Sequence, residues 1–242
     1  EDKNNNIWIG TSNGLNILSN SQQFTTILNY GKGYYCRNIM DIVQTDNGEI
    51  WMGTLYNGIF RYNEENLLSE QIYYNNDEDM LHTNYINAMI KGPKNIIIAA
   101  TKGGIILIDE KDGRFTRLGK EKISRVYNEE IIDIYYSNDI LWIGSINGFY
   151  SYNMKSEEFI DYTELFSAID SEITGIRCIF SEDENSDILW LGGNNKGGLI
   201  KFNKKTNEVK NFPHDINDNT SITYNSVNTI VKDDDGNIWV GA

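Results

Sequence analysis

Tyrosine, arginine and histidine side chains recur in the polar segments that separate the short apolar runs of this chain. A tyrosine ring combines a flat apolar face with a hydroxyl group, and arginine adds a fixed set of hydrogen-bond donors. Together with nearby asparagines, these side chains suit the binding of a polar or anionic saccharide. The candidate ligand-binding residues are Tyr34, Tyr35, Arg37, Tyr56, His82, Tyr85, Arg125, Tyr127, Arg177 and Tyr224.

The acidic segments 46–48 and 233–237 contain the Asp, Asn and Gly residues that also occur in calcium-binding loops. A complete calcium loop needs further carboxylates and a bidentate glutamate at fixed positions, and these are missing here. Two histidines and two cysteines cannot supply a four-ligand zinc site with the usual paired spacing. We therefore interpret the acidic segments as tight turns, and we expect neither a metal nor a cofactor.

The same acidic turns loosely resemble the Asp-box of sialidases, whose sites use three arginines and a tyrosine–glutamate pair. Arg37, Arg125 and Arg177 precede or begin predicted strands, so their side chains could converge. No spacing singles out a pair of carboxylates for glycosidase chemistry among the 35 acidic residues. The sequence favours a protein that is not an enzyme, and a glycosidase or lyase is the alternative.

Composition limits both the partners and the fold class. The formal net charge of −14 argues against nucleic acid as a partner, because the 21 Lys and Arg residues are scattered and the phosphate backbone would be repelled. With 21 Gly, 2 Pro and 12% aromatic residues, the chain fits many short strands joined by glycine turns. No apolar stretch approaches the roughly 20 residues that span a bilayer, so we expect no membrane segment in this chain.

A tryptophan–glycine unit recurs along nearly the whole chain. Residues 7–15 read IWIGTSNGL, and related segments place tryptophan at positions 8, 51, 142, 190 and 239. A decayed copy has Ile97 in the tryptophan position, so successive copies lie 43, 46, 45, 48 and 49 residues apart. A period in the forties that contains only strand-like patterns is typical of the four-stranded blades of a β-propeller.

The repeated residues are interpreted as scaffold. Trp8, Trp51, Trp142, Trp190 and Trp239 occupy one mid-strand position, which fits packing between blades better than contact with a ligand. Replacing a buried tryptophan by alanine typically costs about 3–5 kcal/mol, so packing alone explains the residue type. The following glycines, Gly10, Gly53, Gly144, Gly192 and Gly241, are expected to allow a close backbone approach or a bulge.

The repeat predicts an all-β chain with five to six blades' worth of four-stranded antiparallel sheet, as one partial propeller over residues 1–242. Four blades are complete, at 37–74, 85–118, 128–162 and 173–212, and two are partial, at 7–30 and 225–242. We interpret this as part of a larger propeller, whose unpaired blade edges could pair in a homo-oligomer. Cys36 and Cys178 lie three repeats apart, which predicts two free thiols.

The signature Ile-Trp-Ile-Gly-Thr-x-x-Gly-Leu, preceded by Asp-x-x-Gly-x, resembles the two-component regulator propeller repeat over residues 7–241. The resemblance implies the extracytoplasmic sensor region of a bacterial receptor. Such regions commonly hold two propellers, followed by an immunoglobulin-like domain, a membrane helix and a histidine kinase or diguanylate cyclase. The neighbouring propeller and immunoglobulin-like domains are then the implied partners, and a saccharide is the implied ligand.

Two alternatives to a sensing module stay open at this stage. One is a propeller glycosidase, sialidase-like enzyme or lyase, and the other is a purely architectural repeat that holds another domain in place. For each candidate loop residue, the competing interpretation is a solvated loop or a surface that docks the neighbouring propeller.

Overall fold

The computed structural model describes residues 2, 4–27, 36–63, 68–73, 84–119, 121–171 and 173–242. Within these ranges the chain forms 21 β-strands and one five-residue helix, and the strands make six antiparallel sheets. This confirms the all-β prediction. In the same ranges, no helix has the length and apolarity needed to cross a membrane.

The first compact unit, Glu1–Gly119, holds sheets 1 to 3, each with its strands in chain order. Sheet 1 has three strands, and sheets 2 and 3 have four strands each. The strands are β1 (Ile7–Thr11), β2 (Gly14–Leu18) and β3 (Phe24–Ile27) in sheet 1; β4 (Ile39–Gln44), β5 (Ile50–Thr54), β6 (Ile59–Asn63) and β7 (Leu68–Tyr73) in sheet 2; and β8 (Ile86–Lys91), β9 (Ile96–Thr101), β10 (Gly104–Asp109) and β11 (Phe115–Arg117) in sheet 3.

The second compact unit, Lys120–Ala242, holds sheets 4 to 6, and sheet 6 has two strands. The strands are β12 (Ile131–Ser137), β13 (Ile140–Ser145), β14 (Phe149–Asn153) and β15 (Phe159–Asp161) in sheet 4; β16 (Ile176–Phe180), β17 (Ile188–Gly193), β18 (Leu199–Asn203) and β19 (Val209–Phe212) in sheet 5; and β20 (Thr229–Lys232) and β21 (Ile238–Gly241) in sheet 6. The helix α1 (Thr163–Ser167) follows β15. The single domain over residues 1–242 stays a prediction.

Short turns connect neighbouring strands. Such tight turns need residues that tolerate a left-handed backbone, and the turns of this chain contain them. Gly48 has φ +90° in the turn between β4 and β5, and Asn138 and Asp139 have φ 52° and 65° in the turn between β12 and β13. The first strand of each complete sheet also carries a register shift, for example between Ile131 and Asp133. Such a bulge bends the strand and redirects its side chains.

The core of each unit lies between successive sheets. In the first unit, Trp51 of sheet 2 belongs to a buried cluster with Ile86, Ile97 and Ile108 of sheet 3. In the second unit, Trp142 of sheet 4 belongs to a cluster with Phe202 of sheet 5. The tryptophan-bearing face of one sheet is therefore covered by the next sheet along the chain.

The glycine after the tryptophan lets the next sheet approach closely. A Cβ atom on Gly144 would lie 2.9 Å from the carbonyl oxygen of Ile176, the first residue of sheet 5. A Cβ atom on Gly192 would lie 2.6 Å from the carbonyl oxygen of Val227, just before sheet 6. Because a backbone atom cannot swing away as a side chain can, only glycine fits these two positions without moving the neighbouring sheet.

The five tryptophans share one strand position but not one environment. Trp51 and Trp142 are buried, at 0% and 2% exposure, whereas Trp8 and Trp190 are partly buried. Trp239 is 62% exposed. It lies on β21, the last strand of the chain, and no described sheet covers its face. Packing between sheets thus explains the tryptophan side chains at positions 51 and 142, whereas the Trp239 side chain is not packed between described sheets.

Candidate functional site

The structure brings two of the predicted ligand-binding residues together in the second unit. Arg125 and Tyr127, from the loop before β12, line a cavity of about 460 Å³ with Asn147, from the turn between β13 and β14. The remaining polar residues of its wall are Ser124, Asn128, Glu129, Glu130 and Tyr150. We call this space the loop cavity. It lies at the start of β12 and at the turn between β13 and β14.

A hydrogen-bonded network fixes the floor of the loop cavity. The Ser145 hydroxyl donates to Oε1 of Glu129 at 2.8 Å, and the Tyr150 hydroxyl donates to Oε2 of the same carboxylate at 3.2 Å. Ser145 Oγ also accepts the backbone N–H of Gly148 at 2.9 Å, which holds the turn that carries Asn147. Since both Glu129 oxygens accept internal hydrogen bonds, this carboxylate anchors the turn instead of standing ready as a free acid or base.

Burial and charge shift the ionisation of two groups at this site. Burial raises the pKa of the Tyr150 phenol, and the negative charge of Glu129 raises it further. The Asp161 carboxylate, which lies 3.2 Å from Arg125 Nε, raises the pKa of the Arg125 guanidinium. Arg125 therefore stays charged, and its side chain is 59% exposed at the cavity rim. The cavity thus offers a cation, amide groups and an aromatic hydroxyl, which are groups that bind polar ligands.

A second pair of predicted residues meets in the first unit. The rings of Tyr56 and Tyr85 contact edge to face, with centroids 5.2 Å apart. The Lys102 ammonium lies 5.4 Å from the centroid of the Tyr85 ring. Tyr56 is 50% exposed, so this cluster presents an aromatic surface at the turns of sheets 2 and 3.

The other predicted residues lie elsewhere. Arg177 donates to Oδ1 of Asn228 at 3.0 Å and makes longer hydrogen bonds to Asn194, so its partners differ from those of Arg125. Tyr224 is 63% exposed, and Arg37 is exposed. Tyr34, Tyr35 and His82 lie outside the described residues. The ligand-binding role of all these residues stays a prediction.

The acidic turn 233–237 uses its carboxylate internally. Asp233 accepts hydrogen bonds from the backbone and side-chain amides of Asn237 and from Nε1 of Trp239. The Asn237 side chain contributes most, and together these donors lower the pKa of Asp233 to about 2. Over the described ranges, no group of three His, Cys, Asp or Glu side chains could hold a metal ion.

Sequence reasoning missed Glu129, Tyr150 and Asp161. Nothing in a chain with 35 acidic residues singles out one carboxylate, and Tyr150 reads as an ordinary strand residue. The usable signal was the Ser145–Gly148 turn, which needs a partner for its serine hydroxyl. The prediction for the cysteines is confirmed, because Cys36 and Cys178 are free and buried. Burial raises the pKa of each thiol to about 12.

Comparisons with known proteins agree with this architecture. The family model for the two component regulator propeller matches residues 221–242. Histidine kinase P4 of Formosa agariphila is 27% identical over 190 residues, which are 76% of this chain and 13% of that protein. The chain therefore spans a small part of its curated relative.

Solved structures show the fold. The extracellular domain of a hybrid two component system from B. thetaiotaomicron has a TM-score of 0.72 at 19% identity, over 100% of this chain and 38% of that one. The extracellular domain of a one component system from the same organism has a TM-score of 0.67 at 19% identity, over 100% and 36%. The resemblance drawn from the tryptophan–glycine repeat is confirmed at two levels: residues 221–242 match the two component regulator propeller model, and the chain as a whole has the fold of these two extracellular domains.

Proposed function

We propose that this chain is the extracytoplasmic ligand-sensing module of a bacterial signal-transduction receptor, and that the loop cavity binds a saccharide or a similar polar molecule. The module itself does no chemistry. Ligand binding changes its geometry relative to neighbouring propeller and immunoglobulin-like domains of the receptor, and the output domain responds.

The observation that carries this proposal is the convergence of Arg125, Tyr127 and Asn147 on one cavity. Two loops separated in sequence supply these side chains, and a rigid sheet holds both loops. The internal hydrogen bonds of Glu129 support binding over catalysis, because a glycosidase acid or base must exchange its proton with the substrate. The extracellular domains among the similar structures support a location outside the cytoplasm.

The test is calorimetric titration of the 242-residue chain with a library of neutral and anionic oligosaccharides, supported by thermal unfolding. A ligand present at about 100 times its dissociation constant stabilises the fold by about 2.7 kcal/mol. We expect Arg125→Ala and Asn147→Ala to weaken binding at least tenfold. The matched control is Arg114→Ala, since Arg114 is 85% exposed and pairs with Asp112 in the other unit.

Three outcomes overturn the proposal. Saccharide turnover by the isolated chain points to a propeller glycosidase or lyase. Absence of binding across the library points to an architectural scaffold. Binding that Arg125→Ala and Arg114→Ala weaken equally removes the loop cavity as the site.

A further inference from the structure

A second cavity lies in the second unit, between sheets 4 and 5. Its volume is about 320 Å³, and its wall includes Trp142, Ser151, Glu158, Tyr162, Asp187 and Lys204. We call it the turn cavity, because the turns before β17 and after β18 close one side of it. The loop cavity lies at the opposite ends of the strands, so the two spaces are separate sites.

Ser151 explains why the turn cavity exists. The residue paired with the repeat tryptophan on the neighbouring strand is Arg61 for Trp51 and Lys201 for Trp190. Each of these long cations lies over its tryptophan, at 5.8 Å and 5.4 Å from the ring centroid. Trp142 is paired with Ser151 instead, and a serine is too short to cover the indole.

The Trp142 indole N–H has no hydrogen-bond acceptor among the described residues, although the side chain is only 2% exposed. In the same unit, Trp190 and Trp239 donate to the carboxylates of Glu182 and Asp233. Trp51 also lacks an acceptor, but Arg61 fills the space beside its ring. Leaving a buried donor without a partner destabilises the fold, and an oxygen atom bound beside Trp142 would recover that loss.

The polar groups around the turn cavity are mixed and balanced in charge. Glu158 and Asp187 are matched by Lys204 and Lys205, and the Lys205 ammonium lies 2.9 Å from Asp187. The Lys204 ammonium is partly buried, and this burial lowers its pKa. The hydroxyls of Ser151 and Tyr162 lie 3.4 Å apart.

A ligand for such a wall must carry no net charge, and it must both accept hydrogen bonds from Trp142 and Lys204 and donate them to the carboxylates. Hydroxyl groups do both. The volume is at the lower end of the range for small-molecule sites. We propose that the turn cavity binds a neutral polyhydroxylated ligand of monosaccharide size. This site is independent of the proposed function, because it shares no residue with the loop cavity.

The test follows the Trp142 indole N–H resonance by NMR in the 242-residue chain, with the resonance assigned by its loss in Trp142→Phe. The probes are D-glucose, D-galactose, D-mannose, D-xylose and L-arabinose. We expect at least one sugar to shift the resonance saturably. Ser151→Lys places a lysine opposite Trp142, as Lys201 lies opposite Trp190 in sheet 5, and it should abolish the shift of the Trp142 resonance. The reverse change in sheet 5, Lys201→Ser, should leave that shift unchanged.

A second pair of variants guards against misfolding of Ser151→Lys. Lys204→Ala should weaken sugar binding several-fold, and Lys155→Ala should not, because Lys155 occupies an exposed turn outside the cavity. Arg125→Ala should also leave the Trp142 shift intact, which separates this site from the loop cavity.

The proposal is overturned if none of the five sugars moves the Trp142 resonance. It is also overturned if folded Ser151→Lys still shows the full shift. A shift with tetramethylammonium in place of the sugars would assign the cavity to a cation that stacks on Trp142, which likewise removes the polyhydroxylated ligand.

Discussion

Trp142 and Trp239 occupy the same position of the same repeat, yet one is enclosed and the other faces solvent. Trp142 stacks on Phe149, with centroids 5.7 Å apart and planes 14° apart, and meets the edge of Phe202 from sheet 5. Trp239 is 62% exposed, and its indole N–H donates to Asp233 at 2.7 Å. The two differ because sheet 5 covers the Trp142 face of sheet 4, whereas no described sheet covers the Trp239 face of sheet 6.

The repeat motif determines where a strand forms, but it does not by itself determine whether the tryptophan on that strand is buried. The repeat places a tryptophan in the middle of a strand in both sheets, so local sequence determines the strand. Burial is supplied by the next sheet, through residues such as Phe202 and Leu189. The energetic value of a repeated residue therefore depends on its neighbour, and the same substitution should have different effects in the two sheets.

The largest predicted effect is the difference between two tryptophan substitutions. Trp142→Ala should lower the free energy of unfolding by about 3–5 kcal/mol, because it leaves a cavity among packed aromatic rings. Trp239→Ala should lower it by less than about 1 kcal/mol, since an exposed side chain loses little contact. Urea unfolding of both variants, followed by circular dichroism, measures the difference. Equal losses would show that Trp239 is covered in solution.

The second prediction compares the contacts that hold successive sheets together. Asp133 of sheet 4 accepts the backbone N–H of Ile179 of sheet 5 at 2.7 Å. Cys178 occupies the matching bulge position of sheet 5, and its thiol makes a weaker contact of 3.7 Å to the carbonyl of Val227. We therefore expect the hydrogen bond from Ile179 to Asp133 to contribute more to stability than the contact between the Cys178 thiol and Val227.

Asp133→Ala should cost about 1–3 kcal/mol, because the Ile179 N–H loses its acceptor. Cys178→Ala should cost about 1 kcal/mol or less, as a thiol is a weak donor. Urea unfolding of both variants, followed by circular dichroism, measures the two losses in the free energy of unfolding. A loss for Cys178→Ala that equals or exceeds the loss for Asp133→Ala would contradict this account of the sheet contacts.

The period of the repeat predicted the strands well because it depends on local sequence. Each repeat tryptophan, and Ile97 in the decayed copy, lies on the second strand of a complete sheet or its equivalent. These features follow from chain order and strand alternation alone.

Side-chain environments could not be predicted in the same way. The turn cavity depends on Ser151 standing opposite Trp142, and cross-strand register is not visible in a sequence without turn geometry. The burial of a repeat tryptophan depends on which sheet lies against it, and the motif does not encode that neighbour. The role of Glu129 depends on the two hydroxyls, from β13 and β14, that donate to its carboxylate, and the sequence does not show which hydroxyls lie beside it.

The smallest predicted effect concerns pH and extends the comparison to the first unit. Asp41 of sheet 2 occupies the bulge position of Asp133, and it accepts the backbone N–H of Met89 in sheet 3 at 2.7 Å. Burial raises the pKa of Asp41 above its ordinary value of 3.8, and the N–H groups of Met89 and Ile42 only partly offset this. The folded state therefore holds a proton on Asp41 more tightly than the unfolded chain does.

The raised pKa gives the pH dependence a definite sign. The stability contributed by protonated Asp41 is fully present below pH 3.8, and it is lost as the pH rises through the raised pKa of the folded state. Asp41→Asn cannot ionise, so the stability of wild type relative to Asp41→Asn should fall over this window. Urea midpoints of both proteins, taken across this pH range, measure that difference. The pH dependence that comes from the other carboxyl groups is common to the two proteins, so it cancels in the difference.

Asp112 provides a control of opposite sign, because hydrogen bonds from Arg114 lower its pKa. The stability of wild type relative to Asp112→Asn should therefore rise with pH over the acidic range. A difference for Asp41 that is flat or that rises with pH would mean that the backbone N–H donors outweigh burial. In that case the ionised Asp41 carboxylate would be the better acceptor for the N–H groups of Met89 and Ile42. The stability that Asp41 contributes would then increase with pH instead of decreasing.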